Sequence, residues 1–360
     1  MSRCRQAQRA QLADRTHPAH PAHLLLTWLL AVVLCAALAA CSSGQGEQQS
    51  ESPINAPTPL PGALSLLTEP DQGIGPVYAL LRSARHSIDL TMYEVVDPQI
   101  VELLENAAGH GVIVRVILDT NREKAANQPT HDALAAHGVH VVWADTRYAA
   151  THEKAIVIDR SVAAVMSLNL TSRYYDDTRD FAVLDRQQAD VAAIEQIFDA
   201  DFKHAKVRAP PRTDLVWSPG AEPTIVELIR EARSVLLVEN EEMALPTVTS
   251  ALIEAETHGV HVTVVMTRQD DWADDFDKLG RAGVVVCTYS PTASVYIHAK
   301  AIVADPGTSR QRAFVGSQNF SAASLRHNRE LGLLTADPSL VASLASTIRS
   351  DAAGAAPWSP

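Results

Sequence analysis

The sequence predicts an α/β protein made of two homologous domains, and three observations carry that prediction. One stretch is written twice, as His152-Glu153-Lys154-Ala155-Ile156-Val157-Ile158-Asp159 and as His298-Ala299-Lys300-Ala301-Ile302-Val303-Ala304-Asp305. The residues around it repeat at a period near 146, too long for a solenoid and suited to two related domains in a 360-residue chain. Apolar segments of strand length alternate with amphipathic helical ones throughout both halves, as strand–helix–strand units do.

Taken in order, the chain opens on a leader. Arg3, Arg5, Arg9 and Arg15 surround Asp14, an apolar run covers residues 24–37, and small residues then lead to Cys41. That order marks residues 1–40 as an export signal rather than folded structure. A permanent span would need about 20 apolar residues, which the run approaches, so an anchor is the alternative. Residues 41–62 are rich in Ser, Gln, Glu and Pro and read as a flexible tether. Domain 1 is expected over 63–205, a Pro-containing linker over 206–222, domain 2 over 223–350 and a loose tail over 351–360.

Both domains run through the same series. Strands over 88–92 and 235–238 are followed by helices over 98–108 and 246–257. His110-Gly111 and His258-Gly259 end those helices, with glycine where a left-handed cap is wanted. Strands over 113–118 and 261–266 come next, then a second helix, a strand, and the histidine-lysine strand, expected to be half-buried. Val/Ile runs between helices imply a largely parallel sheet with helices on both faces.

The formal charge is −12, and the arginine-bearing leader makes the remainder more acidic still. Such a protein is not held on polyanions by bulk field, which leaves room only for a local basic site. A composition of 46% hydrophobic and 20% charged residues suits a globular protein with sizeable cores. Cys4, Cys35, Cys41 and Cys287 allow neither a disulfide framework nor a cysteine metal site, and Cys287 reads as a small buried strand residue. His110, His137, His140, His258 and His261 fall at helix C-termini or strand starts, where they suit the helix dipole rather than a metal.

Strand alternation puts His152 with Lys154, and His298 with Lys300, on one face. An imidazole beside an ammonium is a phosphate-handling pair. Asp159 and Asp305 have the opposite parity; they stay in the candidate catalytic set as members of the motif, although fixing the following turn suits them better. Each copy continues into a second strand with a polar pair, Met166-Ser167-Leu168-Asn169 and Gly316-Ser317-Gln318-Asn319. Then come Thr178-Arg179-Asp180 and Asn328-Arg329-Glu330. His152 to Asp180 is 28 residues and His298 to Glu330 is 32, and the turn between Asp and Ser is longer by the same four, 12 against 8. Asp180 and Glu330 therefore occupy equivalent places. Lys154 and Lys300 can neutralise the oxygens of a phosphodiester, and Ser167, Asn169, Ser317 and Asn319 can donate to the same oxygens.

Paired HxKx4D motifs, each followed by Ser-x-Asn and a carboxylate, resemble the phospholipase D superfamily across residues 63–350. The resemblance implies two α/β/α sandwich domains related by a pseudo-twofold axis. Their histidines would face one site inside a single chain, so that a monomer suffices. It implies His152 as nucleophile and His298 as general acid, with Asp180 and Glu330 orienting the rings, and neither metal nor other cofactor. Met166 stands where that family has glycine, and Asp180 where it has glutamate; the shorter Asp180 would have to approach His152 more closely. Leu38-Ala39-Ala40-Cys41 resembles the lipobox of bacterial lipoproteins, which implies lipidation at Cys41 and an exported, envelope-anchored protein, with plain secretion as the alternative.

The function expected is a phosphodiesterase of phospholipase D type. It would hydrolyse phospholipids at a membrane surface, or transfer the phosphatidyl group, with water or an alcohol as acceptor. The alternatives are a metal-independent nuclease, a cardiolipin-synthase-like phosphatidyltransferase, and a non-catalytic lipid- or phosphate-binding lipoprotein. Nucleic acid ranks below lipid, because stacking aromatics beside cations occur only at Arg147-Tyr148 and Arg173-Tyr174-Tyr175. Glu94 and Glu242 correspond across the repeat, either at a pocket rim or on the surface.

Overall fold

The computed structural model describes residues 62–210 and 213–359. The expected export signal over 1–40, Cys41, the expected tether through residue 61 and residues 211–212 of the expected linker lie outside the described residues. The first lobe contains β1 (Leu64–Glu69), α1 (Gly75–Arg82), β2 (Ser87–Met92), α2 (Pro98–Gly109), β3 (Ile113–Leu118), α3 (Lys124–Ala136) and β4 (His140–Trp143). It continues with β5 (Lys154–Ile158), β6 (Val162–Met166), β7 (Thr178–Asp185) and α4 (Gln188–Phe202). The second contains β8 (Leu215–Ser218), α5 (Glu222–Glu231), β9 (Val235–Glu239), α6 (Pro246–Thr257), β10 (His261–Thr267), α7 (Ala273–Arg281) and β11 (Val285–Tyr289). After these come β12 (Tyr296–Ile297), β13 (Ala301–Ala304), β14 (Arg312–Gly316), α8 (Ala322–Arg326), β15 (Glu330–Thr335), α9 (Pro338–Gly354) and β16 (Ala356–Pro357).

The two sheets share one strand succession. The first runs β1-β7-β6-β5-β2-β3-β4 and the second β8-β15-β14-β13-β9-β10-β11. Within each of these successions β2, β3 and β4, and their counterparts β9, β10 and β11, pair in parallel, whereas β5, β6, β7 and β1 pair antiparallel. The expected largely parallel sheet is thus a mixed one. Asp159 and Arg160 explain the difference: both have left-handed φ, 50° and 54°, and turn β5 directly into β6. A parallel crossover would need a dozen or more residues there. At the ends of α2 and α6, Gly111 and Gly259 take φ of 87° and 88°, the cap conformation the sequence calls for.

Period-two alternation divides most of the apolar side chains between three large cores, beside a small cluster of Ile117, Ala144 and Phe198. Ile156, Ile158, Ala164, Met166, Ala182 and Leu184 face the helices of the first lobe, and the second lobe has a matching outer core. Ala155, Val157, Val165, Phe181 and Val183 point the other way and meet Ala301, Val303, Val315 and Leu333 of the second sheet, with residues of α4 and α9 filling the same layer. The motif strand is therefore buried on both faces rather than half-buried. Phe181 and Phe314 are nearly inaccessible, and truncating either to Ala would cost about 3–5 kcal/mol.

Two expected boundaries shift. The linker over 206–222 contains β8, which pairs with β15 as β1 pairs with β7, because each sheet needs that edge strand. The tail is tied down rather than loose: α9 extends to Gly354, β16 pairs with β11, and Trp358 packs on Phe276. Cys287 is buried in β11. Among the described residues no helix is long and apolar enough to cross a membrane.

Candidate active site

Neither motif histidine belongs to its strand. β5 begins at Lys154 and β13 at Ala301, and each histidine lies in the preceding segment, held by the opposite lobe. β12 adds in parallel to β7, Tyr296 beside Thr178 and Ile297 beside Arg179, and His298 N donates to Arg179 O at 3.1 Å. Reciprocally, Thr151 bridges to Arg329, and His152 N donates to Arg329 O at 2.9 Å. The two arginines complete the exchange: Arg179 forms a bidentate pair with Asp351 of α9 (2.6 and 2.9 Å), and Arg329 pairs with Asp201 of α4 at 2.7 Å.

This exchange crosses the carboxylates. Asp180 accepts from His298 Nδ1 at 2.8 Å, and Glu330 Oε2 lies 3.0 Å from His152 Nδ1. The expectation that Asp180 must reach its own repeat's His152 is corrected, because inter-lobe strand pairing seats each histidine beside the other repeat's acid. Ser317 O also faces His152 Nδ1, at 3.2 Å. Every partner of that nitrogen is an acceptor, so the neutral ring carries its proton on Nδ1 and keeps the Nε2 lone pair.

The serines brace the acids. Ser167 is fully buried, donates to Asp180 Oδ1 at 2.5 Å and accepts from Phe181 N. Ser317 Oγ is exchanged with the backbone of Leu331. Each hydroxyl has one proton, already engaged, so neither serine is a free phosphate donor as expected. Glu330 has two further donors, Ser324 Oγ at 2.7 Å and Asn328 Nδ2 at 2.9 Å. Neither was singled out from the sequence, since Ser324 lies on α8, outside the repeated pattern.

Asp159 and Asp305 sit away from the histidines, at the far ends of β5 and β13. Asp159 accepts from the backbone N–H groups of Arg85, His86 and Ser87. Asp305 accepts from those of Arg233, Ser234 and Val235, and from Ser234 Oγ. They are corrected out of the catalytic set. Each carboxylate ties down the loop that leads into the neighbouring strand, not the turn after itself.

Lys154 and Lys300 are completely buried. Lys154 Nζ donates to His152 O at 2.8 Å and lies 5.0 Å from the Tyr93 ring centre, while Lys300 Nζ donates to His298 O and, at 3.1 Å, to Glu241 Oε2. Burial, reinforced by Lys300, brings the Lys154 ammonium down to about 7. Burial and then Lys154 hold the His152 imidazole below its ordinary value, against the pull of Glu330. Asn319 Nδ2 lies 3.3 Å from Glu241 Oε2. Asn169, its counterpart, is half-buried, with an Oδ1 that has no hydrogen-bond partner among the described residues.

The half-sites differ at one place. Thr91 pairs with Ala155 and Glu239 with Ala301, so two residues further on Tyr93 and Glu241 are equivalents. Tyr93 packs edge-on to His152 with ring centres 4.6 Å apart; Glu241 Oε2 lies 3.5 Å from His298 Nε2. Burial opposes ionisation of Glu241, but Lys300, His298 and His152 outweigh it and hold its carboxyl well below the usual range. Glu94 and Glu242, the pair that corresponds across the sequence repeat, lie one residue beyond these two. Glu94 accepts from Thr171 Oγ1 at 3.2 Å, and burial then Glu241 raises Glu242 to about 7.

Met166 does not touch the site. It is buried in the outer core opposite Ala182, where the second lobe has Gly316 opposite Gly332. A Cβ on Gly316 would lie 2.4 Å from Gln318 Oε1 and 2.5 Å from Gly332 Cα. Glycine is needed there because both the Gln318 side chain and the β15 backbone at Gly332 and Leu331 occupy that space; the first lobe has Leu168 in place of Gln318 and Ala182 in place of Gly332.

Twin α/β lobes that share one buried two-histidine, two-lysine site define the class of this protein. The family described as "Cardiolipin synthase, PLD-like domain" matches residues 77–202 and 225–352, and the chain belongs to that family, within the phospholipase D superfamily. Comparison with curated protein sequences finds no match. Among solved structures, the chain is similar to phosphatidylserine synthase of Haemophilus influenzae (12% identity, TM-score 0.62, 80% of this chain and 86% of that one). It is also similar to polyphosphate kinase of Porphyromonas gingivalis (17% identity, TM-score 0.63, 80% of this chain), of which it spans half the length. At such identities the likeness concerns the fold alone.

Proposed function

We propose that this chain is a phospholipase D-type phosphodiesterase that works through a phosphohistidine. The observation that carries this reading is the crossed pair of carboxylate-backed histidines, His152 with Glu330 and His298 with Asp180, beside two buried lysines. His152 Nε2, neutral and unprotonated, attacks phosphorus. The bond from phosphorus to the leaving oxygen breaks, and a proton on His298 Nε2 passes to that oxygen as it departs. Water or an alcohol, deprotonated by His298, then attacks phosphorus, the P–N bond breaks, and His152 returns neutral. Lys154 and Lys300 neutralise the non-bridging oxygens as charge builds on them, and Asn319 Nδ2 donates a hydrogen bond to the same oxygens.

A phospholipid is the preferred substrate. The chain is acidic, and the two arginines that line the cleft with Asn121 and Tyr148 are themselves paired: Arg147 with Asp145, and Arg326 with Glu222. A nuclease groove needs such cations free for the backbone. Residues 42–360 incubated with phosphatidylcholine, phosphatidylglycerol or single-stranded DNA, in the presence of chelator, test the reading. Head-group release that disappears in His152→Ala and His298→Ala is expected. Cleavage of DNA alone would overturn the lipid assignment, and turnover of none would overturn the activity.

A further inference from the structure

Three donors that the proposed reaction needs for a phosphoryl group converge on one oxygen of the protein itself. Glu241 Oε2 lies 3.1 Å from Lys300 Nζ, 3.3 Å from Asn319 Nδ2 and 3.5 Å from His298 Nε2. A lysine, an amide and an imidazole around one anionic oxygen is how a non-bridging phosphate oxygen would be held. The equivalent position of the other half-site is Tyr93, which meets Lys154 and His152 with a ring rather than a charge. Only one half-site is thus filled by an acid, and the repeat does not demand it. The other oxygen, Oε1, accepts from Tyr296 OH at 3.3 Å on the segment that carries His298, which gives the carboxylate a second donor to turn towards.

We infer that Glu241 is an internal anion that occupies the phosphate half-site at His298 and that a phosphoryl ligand must displace. The inference rests on the reading that these donors hold phosphate. Displacement costs affinity for every anion, and the repulsion that remains grows with ligand charge. A doubly charged phosphomonoester is therefore disfavoured more than a singly charged diester. Glu241 so selects diesters and speeds release of a monoester product.

Binding of inorganic phosphate and dimethyl phosphate is measured by calorimetry at pH 7, for the wild type, Glu241→Gln and Glu241→Tyr, the last copying the other half-site. Both variants are expected to bind phosphate at least tenfold more tightly than the wild type, with a smaller gain for dimethyl phosphate. Thermal unfolding shows which variants are folded, and one folded variant suffices. Equal or weaker phosphate binding in a folded variant would overturn the displacement and leave Glu241 as a brace for Lys300. Equal gains for both ligands would overturn the selectivity. Binding of neither ligand by any of the three proteins would remove the phosphate reading on which the inference rests, and the inference with it.

Discussion

The crossed wiring of the carboxylates makes the two acids separable by experiment. Asp180 backs the histidine assigned to proton transfer, and Glu330 the one assigned to attack. Replacing Asp180 with Asn exchanges the charged acceptor 2.8 Å from His298 Nδ1 for a neutral amide. Hydrogen bonds to charged groups contribute about 1.5–3 kcal/mol, which converts to a loss of about 10- to 150-fold. For an alkyl leaving group the loss should fall on the first step, which needs the His298 proton. A nitrophenyl diester releases a stabilised anion and needs no such proton, so formation of the phosphoenzyme should be spared. Its hydrolysis still requires His298 as base. Asp180→Asn should therefore give a burst of nitrophenol, one equivalent per enzyme, followed by a slow steady state. Glu330→Gln weakens the nucleophile and should slow both substrates with no burst. Stopped-flow absorbance distinguishes the two. A burst in Glu330→Gln and none in Asp180→Asn would refute the assignment of roles, and identical behaviour would refute the separation.

Three further outcomes follow from the same geometry. Attack needs neutral His152, whose value lies below the ordinary 6.5, and phosphate neutralisation needs charged Lys154, brought down to about 7. kcat/KM should then rise to a plateau below neutrality and fall above about pH 7, and a rate still climbing at pH 8 would contradict this. Asp305→Ala strips the acceptor from the backbone N–H groups of Arg233, Ser234 and Val235. It should cost about 1–3 kcal/mol in denaturant unfolding while kcat stays within about twofold; a selective loss of kcat would restore the residue to the chemistry. Gly316→Ala forces a Cβ within 2.5 Å of Gly332 Cα and should destabilise by about 1–3 kcal/mol, whereas Met166→Ala should act as an ordinary core truncation.

Much of the architecture was legible in the chain because it depends on local pattern. The caps at Gly111 and Gly259, the Val/Ile strands and the doubled His-x-Lys fixed element type, order and the pairing of lobes. The equal offset between Asp180 and Glu330 revealed that they are equivalents. It could not reveal that they trade partners, since that rests on β12 joining β7 across more than a hundred residues. Ser167 and Ser317 depart from the expected phosphate contacts for a related reason. A hydroxyl after a strand can face ligand or brace an acid, and only packing decides which. Asp159 and Asp305 belong to the motif by spacing, yet they serve the backbone of the adjacent strand. Glu241 escaped notice because the repeat breaks there, with Tyr93 in its place, and a search for what two halves share passes over what only one has.

In the proposed reaction His152 forms the covalent bond to phosphorus. That bond is tested most directly by quenching Asp180→Asn in acid-free denaturant after mixing with a nitrophenyl diester, and then locating the added phosphoryl mass by peptide mapping. The mass is expected on the peptide containing His152, and is expected to be absent when His152→Ala is added to the same background. The mass on His298 would contradict the account, as would turnover in the burst assay with no adduct on either histidine.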